Sequence, residues 1–217
     1  MKTEGHTREA FENKPVKRGL YDKVVKKMLE KDDKGCVTSL CGPAAKLHAE
    51  SLMPLLRSNS ELLFAEWDKE LSIEQEMEKQ IKECNDKRIV FKLGNIWDVM
   101  RSKYIYKKGW QHKHVLFDLD FCRSTDVLIA QGLQLELKRL ARSKLPRKSG
   151  FWIYLTVCKR GDRDEEWLSF SNKVLNIFTR NGWSMSYTKL ESYKDVKGPH
   201  MVSMLFRFKW NDTNNRK

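Results

Sequence analysis

Apolar residues in this chain come in short runs separated by longer stretches with a different rhythm. CVTSLC (36–41), ELLFAE (61–66), RIVFKL (88–93), HVLFDLD (114–120) and GFWIYLTV (150–157) are almost continuously apolar. Runs of that kind predict strands covered on both faces, as in a parallel sheet flanked by helices. The stretches between them carry helical periodicity. In KRGLYDKVVKKMLEK (17–31), Leu20, Val24, Val25, Met28 and Leu29 fall on one stripe, the mark of an amphipathic helix. Gly42-Pro43 breaks the first strand, and Pro43 can open a helix because its missing N–H is not needed in the first turn. That helix runs through AAKLHAESLMPLL and ends or kinks near Pro54. Further helices are predicted over 70–81, 96–104, 125–145 and 165–180. Two long strands, 183–191 and 200–210, close the chain around a loop holding Lys197-Gly198-Pro199.

Strand–helix alternation ending in a hairpin predicts an α/β fold. The expected architecture is a three-layer sandwich with a mostly parallel seven-stranded sheet and a C-terminal antiparallel hairpin. Residues 1–16 are polar and read as a flexible arm, and 17–217 as one domain. In such sheets ligands bind outside the carboxyl ends of the strands, where the strand order reverses. Candidate chemistry therefore belongs to the residues just after the first four strands.

Composition narrows the class without changing this picture. Of 217 residues, 40% are hydrophobic and 11% aromatic, too many for a disordered chain. No apolar stretch is long enough to span a membrane, and MKTEGHTREAFENK lacks the apolar core of a secretory signal; a cytoplasmic protein is expected. Five cysteines, Cys36, Cys41, Cys84, Cys122 and Cys158, form no CxxC pair and read as reduced packing residues. The histidines form no metal-ligand pattern with them. Charge is the feature that points to a partner. The chain carries 42 basic and 29 acidic residues, a net +13. Residues 51–100 hold 7 basic against 10 acidic, whereas 101–150 hold 12 against 4. A field concentrated in this way steers polyanions.

Four short segments sit where the fold predicts a site: Ser39-Leu40-Cys41-Gly42-Pro43-Ala44, Glu66 with Asp68 close by, Gly94-Asn95-Ile96, and Phe117-Asp118-Leu119-Asp120-Phe121-Cys122. A glycine in the first turn admits a close backbone approach, and a carboxylate ending the second strand can accept ribose hydroxyls. Asn95 can bond an adenine edge or cap the helix starting at Ile96. Asp118 and Asp120 share a parity and project to one face. Burying both in an apolar run is costly without partners, so one, Asp120, is expected to emerge at the strand end. In order and spacing these segments resemble the class I S-adenosylmethionine-dependent methyltransferases over about residues 17 to 210. The resemblance implies a Rossmann-like fold, S-adenosylmethionine held by Cys41, Gly42, Pro43, Glu66, Asn95 and Ile96, and Asp120 and Asp118 at the reaction centre. The first turn departs from the family in having a single glycine, Gly42, and Asp120 is followed by Phe121-Cys122-Arg123 rather than by the prolines of amino-methylating enzymes.

The segment RSKYIYKKGWQHKH (101–114) interleaves Arg101, Lys103, Lys107, Lys108 and Lys113 with Tyr104, Tyr106 and Trp110. Cations suit phosphates, and aromatics suit unpaired bases. Lying directly before the fourth strand, it is expected near the rim of the site. Arg123, Lys138, Arg139, Arg142, Lys144, Arg147 and Lys148 extend the basic surface, while Trp97, Trp152, Trp183 and Trp210 are expected in the core. Together these features predict a methyltransferase acting on nucleic acid, RNA more than DNA. The alternative is a nucleic-acid-binding protein that kept the fold and lost the chemistry. The absence of GxGxxG after the first strand argues against nicotinamide chemistry.

Overall fold

The computed structural model describes residues 35–40, 49–50, 61–66, 71–101, 114–121, 124–143, 145, 147, 149–158, 164–194 and 200–211. Its strands are β1 (Gly35–Leu40), β2 (Glu61–Glu66), β3 (Ile89–Asn95), β4 (His114–Asp120), β5 (Phe151–Cys158), β6 (Trp183–Lys194) and β7 (His200–Trp210). Its helices are α1 (Leu71–Cys84), α2 (Ile96–Met100), α3 (Thr125–Ala130), α4 (Leu133–Arg142) and α5 (Asp164–Thr179). The strands form one sheet in the order β3-β2-β1-β4-β5-β7-β6. β1 to β5 pair in parallel, and β7 runs antiparallel to both β5 and β6. The order reverses between β1 and β4. The α/β Rossmann-like layering is therefore as the apolar runs predict. Residues 1–16 and the two helices expected over 17–31 and 43–56 lie outside the described residues, apart from Ala49 and Glu50, which are helical.

The central strands show why their sequences are continuously apolar. Every residue of β5 is buried, so both faces of the sheet are covered there. Val115, Phe117 and Leu119 of β4, Phe151, Ile153, Leu155 and Val157 of β5, and Val202, Met204, Phe206 and Phe208 of β7 share one face and one core. Onto it pack α2, α4 and α5 through Ile96 and Trp97, through Leu133, Leu137, Leu140 and Ala141, and through Phe170, Val174 and Phe178. Phe151 is the hub, with ring centroids 4.8 Å from Trp183, 5.4 Å from Phe208 and 5.6 Å from Phe178. Such pairs add roughly 0.5–1.5 kcal/mol each beyond simple burial. The Trp183 indole N–H is satisfied by the Ala141 carbonyl at 3.0 Å.

One predicted element needs correction. The single helix expected over 125–145 is two, α3 and α4, divided at Gln131-Gly132. Gly132 has φ +86°, a left-handed conformation that costs glycine little and a β-carbon-bearing residue more. Its N–H closes on the Ile129 carbonyl, and its carbonyl then accepts from Leu135 as α4 begins. Leucines continue on the far side, but the buried Leu128 and Leu133, five residues apart, would stand about 140° apart on one unbroken helix. Gly150 is constrained more tightly: with φ +72°, a β-carbon there would stand 2.1 Å from the Phe208 carbonyl oxygen. β5 can start against β7 only from glycine. Among the described residues no helix is long and apolar enough to cross a membrane.

Candidate active site

The carboxyl ends of β1, β2, β3 and β4 lie along one edge of the sheet. Glu66 and Asn95, the last residues of β2 and β3, are register partners across adjacent strands. Beside the reversal point, Ser39 of β1 is the register partner of Asp118 of β4. The topology thus gathers three of the four expected segments. Cys41, Gly42 and Pro43 of the first turn lie outside the described residues, and β1 ends at Leu40, directly before them. Asn95 ends its strand and α2 begins at the next residue. Ile96 is fully buried in the core.

On β4 the two carboxylates face away from the aromatic core, as their parity requires. Asp118 is fully buried, and Asp120, one pleat closer to the edge, is partly exposed. Asp120 is held from behind. The Phe121 N–H that follows it donates to the Thr156 carbonyl at 2.9 Å, and the Phe121 ring stacks against Trp97 at 6.1 Å. A strand end anchored this way fixes where the Asp120 carboxyl can be.

The structure adds residues that the motif reading passed over. The face carrying the two aspartates continues onto β5 and β7 as further polar positions. Asp118, Tyr154 and Leu205 form one cross-strand row, and Asp120, Thr156 and Ser203 the next toward the carboxyl edge. The buried Tyr154 hydroxyl donates to Ser203 Oγ at 2.8 Å. Thr156 is fully buried, and its Oγ1 has no hydrogen-bond partner among the described residues. One row toward the amino edge, the Arg207 guanidinium lies over Trp152, 5.1 Å from the ring centre. A signal was available in the sequence: Tyr154 and Thr156 are the polar members of β5, two residues apart, and Ser203 interrupts the apolar run of β7 from Met201 to Phe206. Reading that alternation against Asp118 and Asp120 requires the strand register, which is tertiary.

Among the described basic candidates, Arg101, Arg139 and Arg142 sit on or beside α2 and α4. Arg101 is engaged by Asp98 and Glu136, each at 2.8 Å, and ties α2 to α4. Arg139 shares Glu136 at 2.7 Å. Both charges are locally balanced. Arg142 ends α4, which descends toward the amino edge of the sheet, and its Nε donates to Asn181 Oδ1 just before β6. Lys103, Tyr104, Lys107, Lys108, Trp110, Lys113 and Arg123 lie outside the described residues. Of segment 101–114 only the ends are described, Arg101 just after α2 and His114 at the start of β4. His114 pairs with Gly35, the first residue of β1, so the segment leads into the amino end of β4, opposite the carboxylates. In a parallel sheet, residues immediately before a strand and those immediately after it lie at opposite edges. Trp97, Trp152 and Trp183 are buried, as expected of core residues, and Trp210 packs against that core.

No family model and no curated protein sequence matches the chain. Solved structures do. The methyltransferase domain of bacterial CtHen1-C is similar with a TM-score of 0.54 at 14% identity, covering 89% of this chain and 99% of its own. A candidate RNA methyltransferase from Pyrococcus horikoshii gives 0.51 at 11% identity, covering 90% and 85%. Magnesium protoporphyrin IX methyltransferase from Synechocystis, solved with bound SAH, gives 0.51 at 14% identity, covering 88% and 82%. Strand order, the closing antiparallel pair and these likenesses agree on one conclusion: the chain has the fold of the class I S-adenosylmethionine-dependent methyltransferases.

Proposed function

We propose that this protein transfers a methyl group from S-adenosylmethionine to a nucleic acid, RNA in the first instance. The observation that carries the reading is the pairing of Glu66 with Asn95 on the edge where Asp120 ends its strand beside the order reversal. That edge is where open α/β sheets hold their ligands, and the residue types fit an adenosyl group. Glu66 would accept the ribose hydroxyls, Asn95 would bond the adenine edge, Ile96 would back it with apolar surface, and the Cys41-Gly42-Pro43 turn would let the backbone approach closely. The cofactor supplies a methyl group already activated on a sulfonium, so the protein's task is chiefly alignment, which can contribute several kcal/mol. In this reading Asp120 orients an amine on the acceptor and accepts its proton at a carboxylate oxygen. Asp118, one pleat deeper, and Thr156, in the row of Asp120, shape the floor below it.

The acceptor class rests on charge. A sulfonium gives a site no reason to be basic, so a net charge of +13 is assigned to the other substrate. Among similar structures the Pyrococcus horikoshii protein is a candidate RNA methyltransferase, whereas the Synechocystis enzyme acts on a porphyrin; the basic balance favours the former kind of acceptor.

Thermal melting tests the cofactor assignment. S-adenosylmethionine at a hundred times its Kd should stabilise the chain by about 2.7 kcal/mol, a rise in Tm of roughly 5–10 °C for a domain of this size. Glu66→Ala should keep the unliganded Tm and abolish most of that rise. No shift in the parent protein at millimolar cofactor, with RNA binding retained, would replace the enzyme by a binding protein on the same fold.

A further inference from the structure

The amino edge of the sheet carries a basic surface of its own. Phe151 of β5 pairs with Phe208, and Trp183 of β6 with Trp210, so the start of β5, the end of β7 and the start of β6 meet there. Printed side by side in sequence, residues 137–150 (LKRLARSKLPRKSG) hold six basic residues and no acidic one. Contacts join the described members into one patch. Arg142 Nε donates to Asn181 Oδ1 at 3.3 Å, and Asn181 in turn donates to the Ile177 carbonyl at 2.7 Å. Asn211 N–H reaches the Gly182 carbonyl at 3.0 Å. Trp210, one residue before Asn211, packs edge-on to Trp183 at 5.0 Å and carries the Arg147 guanidinium on its face at 4.0 Å. Arg180 and Lys209, chain neighbours of Asn181 and Trp210, are exposed, as are Arg142 and Arg147.

How these charges are held distinguishes them from the ion-paired arginines. Arg88, Arg101 and Arg139 are ion-paired with carboxylates. Among the described residues Arg142 and Arg147 contact neutral groups, an amide and an indole face, and no carboxylate, so their charge is open to an outside anion. A guanidinium already seated on a ring also loses less freedom when it binds. Lys138 and Arg142 stand four apart on α4, an arrangement that weakens a helix by a few tenths of a kcal/mol. The opposite end of the same edge is different. There α1 mixes Lys79 and Lys82 with Glu76, Glu78 and Glu83, and Lys82 pairs with Glu78 at 3.0 Å.

We propose that the surface formed by Arg142, Arg147, Arg180 and Lys209 around Trp210 is a docking site for a nucleic-acid phosphate backbone, separate from the candidate active site. The choice of RNA as its ligand rests on the acceptor class proposed above. The length of β5, eight residues at about 3.3 Å each, sets the two edges roughly 25 Å apart. An RNA that touches both must be long enough to reach across that distance. The site therefore selects long RNA and holds it while one segment reaches the carboxyl edge.

The test compares two triple charge reversals by fluorescence anisotropy with a labelled single-stranded RNA of about 40 nucleotides, well beyond that span. Arg142→Glu/Arg180→Glu/Lys209→Glu leaves the Arg147–Trp210 stack intact. Lys79→Glu/Lys82→Glu/Lys87→Glu changes the net charge equally at the other end of the edge. The first should weaken RNA binding about tenfold or more and lower the salt slope by about 2, since single strands contribute about 0.7 per phosphate contact. The second should stay within about threefold of the parent, the size of a diffuse field effect. Equal losses in both, or none in the first at unchanged Tm, would overturn the proposal. So would retention of RNA binding accompanied by loss of binding to phosphatidylserine vesicles. The S-adenosylmethionine melting shift is read on the same samples. A missing shift alongside selective loss of RNA binding removes the enzyme and keeps the docking site, and a normal shift with unaffected RNA binding does the reverse.

Discussion

The two faces of the central strands are equally buried and chemically opposite. One presents Phe117, Phe151, Phe206 and Phe208 to the helices, and the other presents Asp118, Tyr154, Thr156 and Ser203. On the first face every side chain does the same thing, removing apolar area from water at about 25 cal/mol per Å². On the second, each polar group is a cost unless something answers it. Tyr154 and Ser203 answer one another, and Thr156 Oγ1 has no partner among the described residues. Stability lives on the aromatic face. The polar face, which also buries Leu116 and Leu205, ends at the edge where Asp120 emerges.

Substitutions on either face should separate these roles. Phe178→Ala, which removes a fully buried ring stacked on Phe208 at 4.4 Å, should lower the unfolding free energy by about 3–5 kcal/mol. Urea denaturation reads it, and a loss below about 1 kcal/mol would mean that the aromatic cluster is not the stabilising core. On the other face, Thr156→Val keeps the shape and removes the unanswered hydroxyl. It should leave stability unchanged or raise it by about 1 kcal/mol, while methyl transfer falls. A stability loss larger than that would show that the hydroxyl is satisfied in the folded protein and the face less polar in effect than it looks.

The smallest effect belongs outside both faces, in the turn before β3. There Arg88 donates side-chain bonds to Asp86, the shortest at 2.7 Å, and its N–H adds another at 2.9 Å. The Arg88 side chain first, then its backbone N–H, holds the Asp86 carboxyl below its ordinary value of 3.8. The folded state thus favours the ionised form, and the contribution is present at neutral pH and lost as pH falls below about 4 through the depressed pKa. The pair is near the surface, so Asp86→Ala should cost only a few tenths of a kcal/mol at pH 7. Parent and variant Tm should converge on acidification; a gap that persists at pH 3 would assign the effect to the turn's backbone instead.

Local pattern carried much of this. Strands read from apolar runs match the observed strands to within a few residues, because burial on both faces leaves no room for polar alternation. The split of α3 from α4 escaped because a lone glycine such as Gly132 is tolerated within a helical pattern and apolar residues continue on both sides of it. The course of segment 101–114 between Arg101 and His114 lies outside the described residues, and nearness in sequence to a strand does not say which end of it is meant. Glu66, Asn95 and Asp120 were legible as strand-end residues, and Tyr154, Thr156 and Ser203 were not, since nothing local distinguishes a polar residue facing a site from one tolerated in a core.

By itself the sequence determined the α/β class, the succession of strands and the excess of positive charge, all properties of hydrophobic period and composition along a short window. Tertiary structure alone decided which strands are neighbours, and with that the Glu66–Asn95 pairing and the polar rows behind Asp120. Those depend on contacts between residues tens of positions apart, whose free energy is realised only when the whole sheet closes.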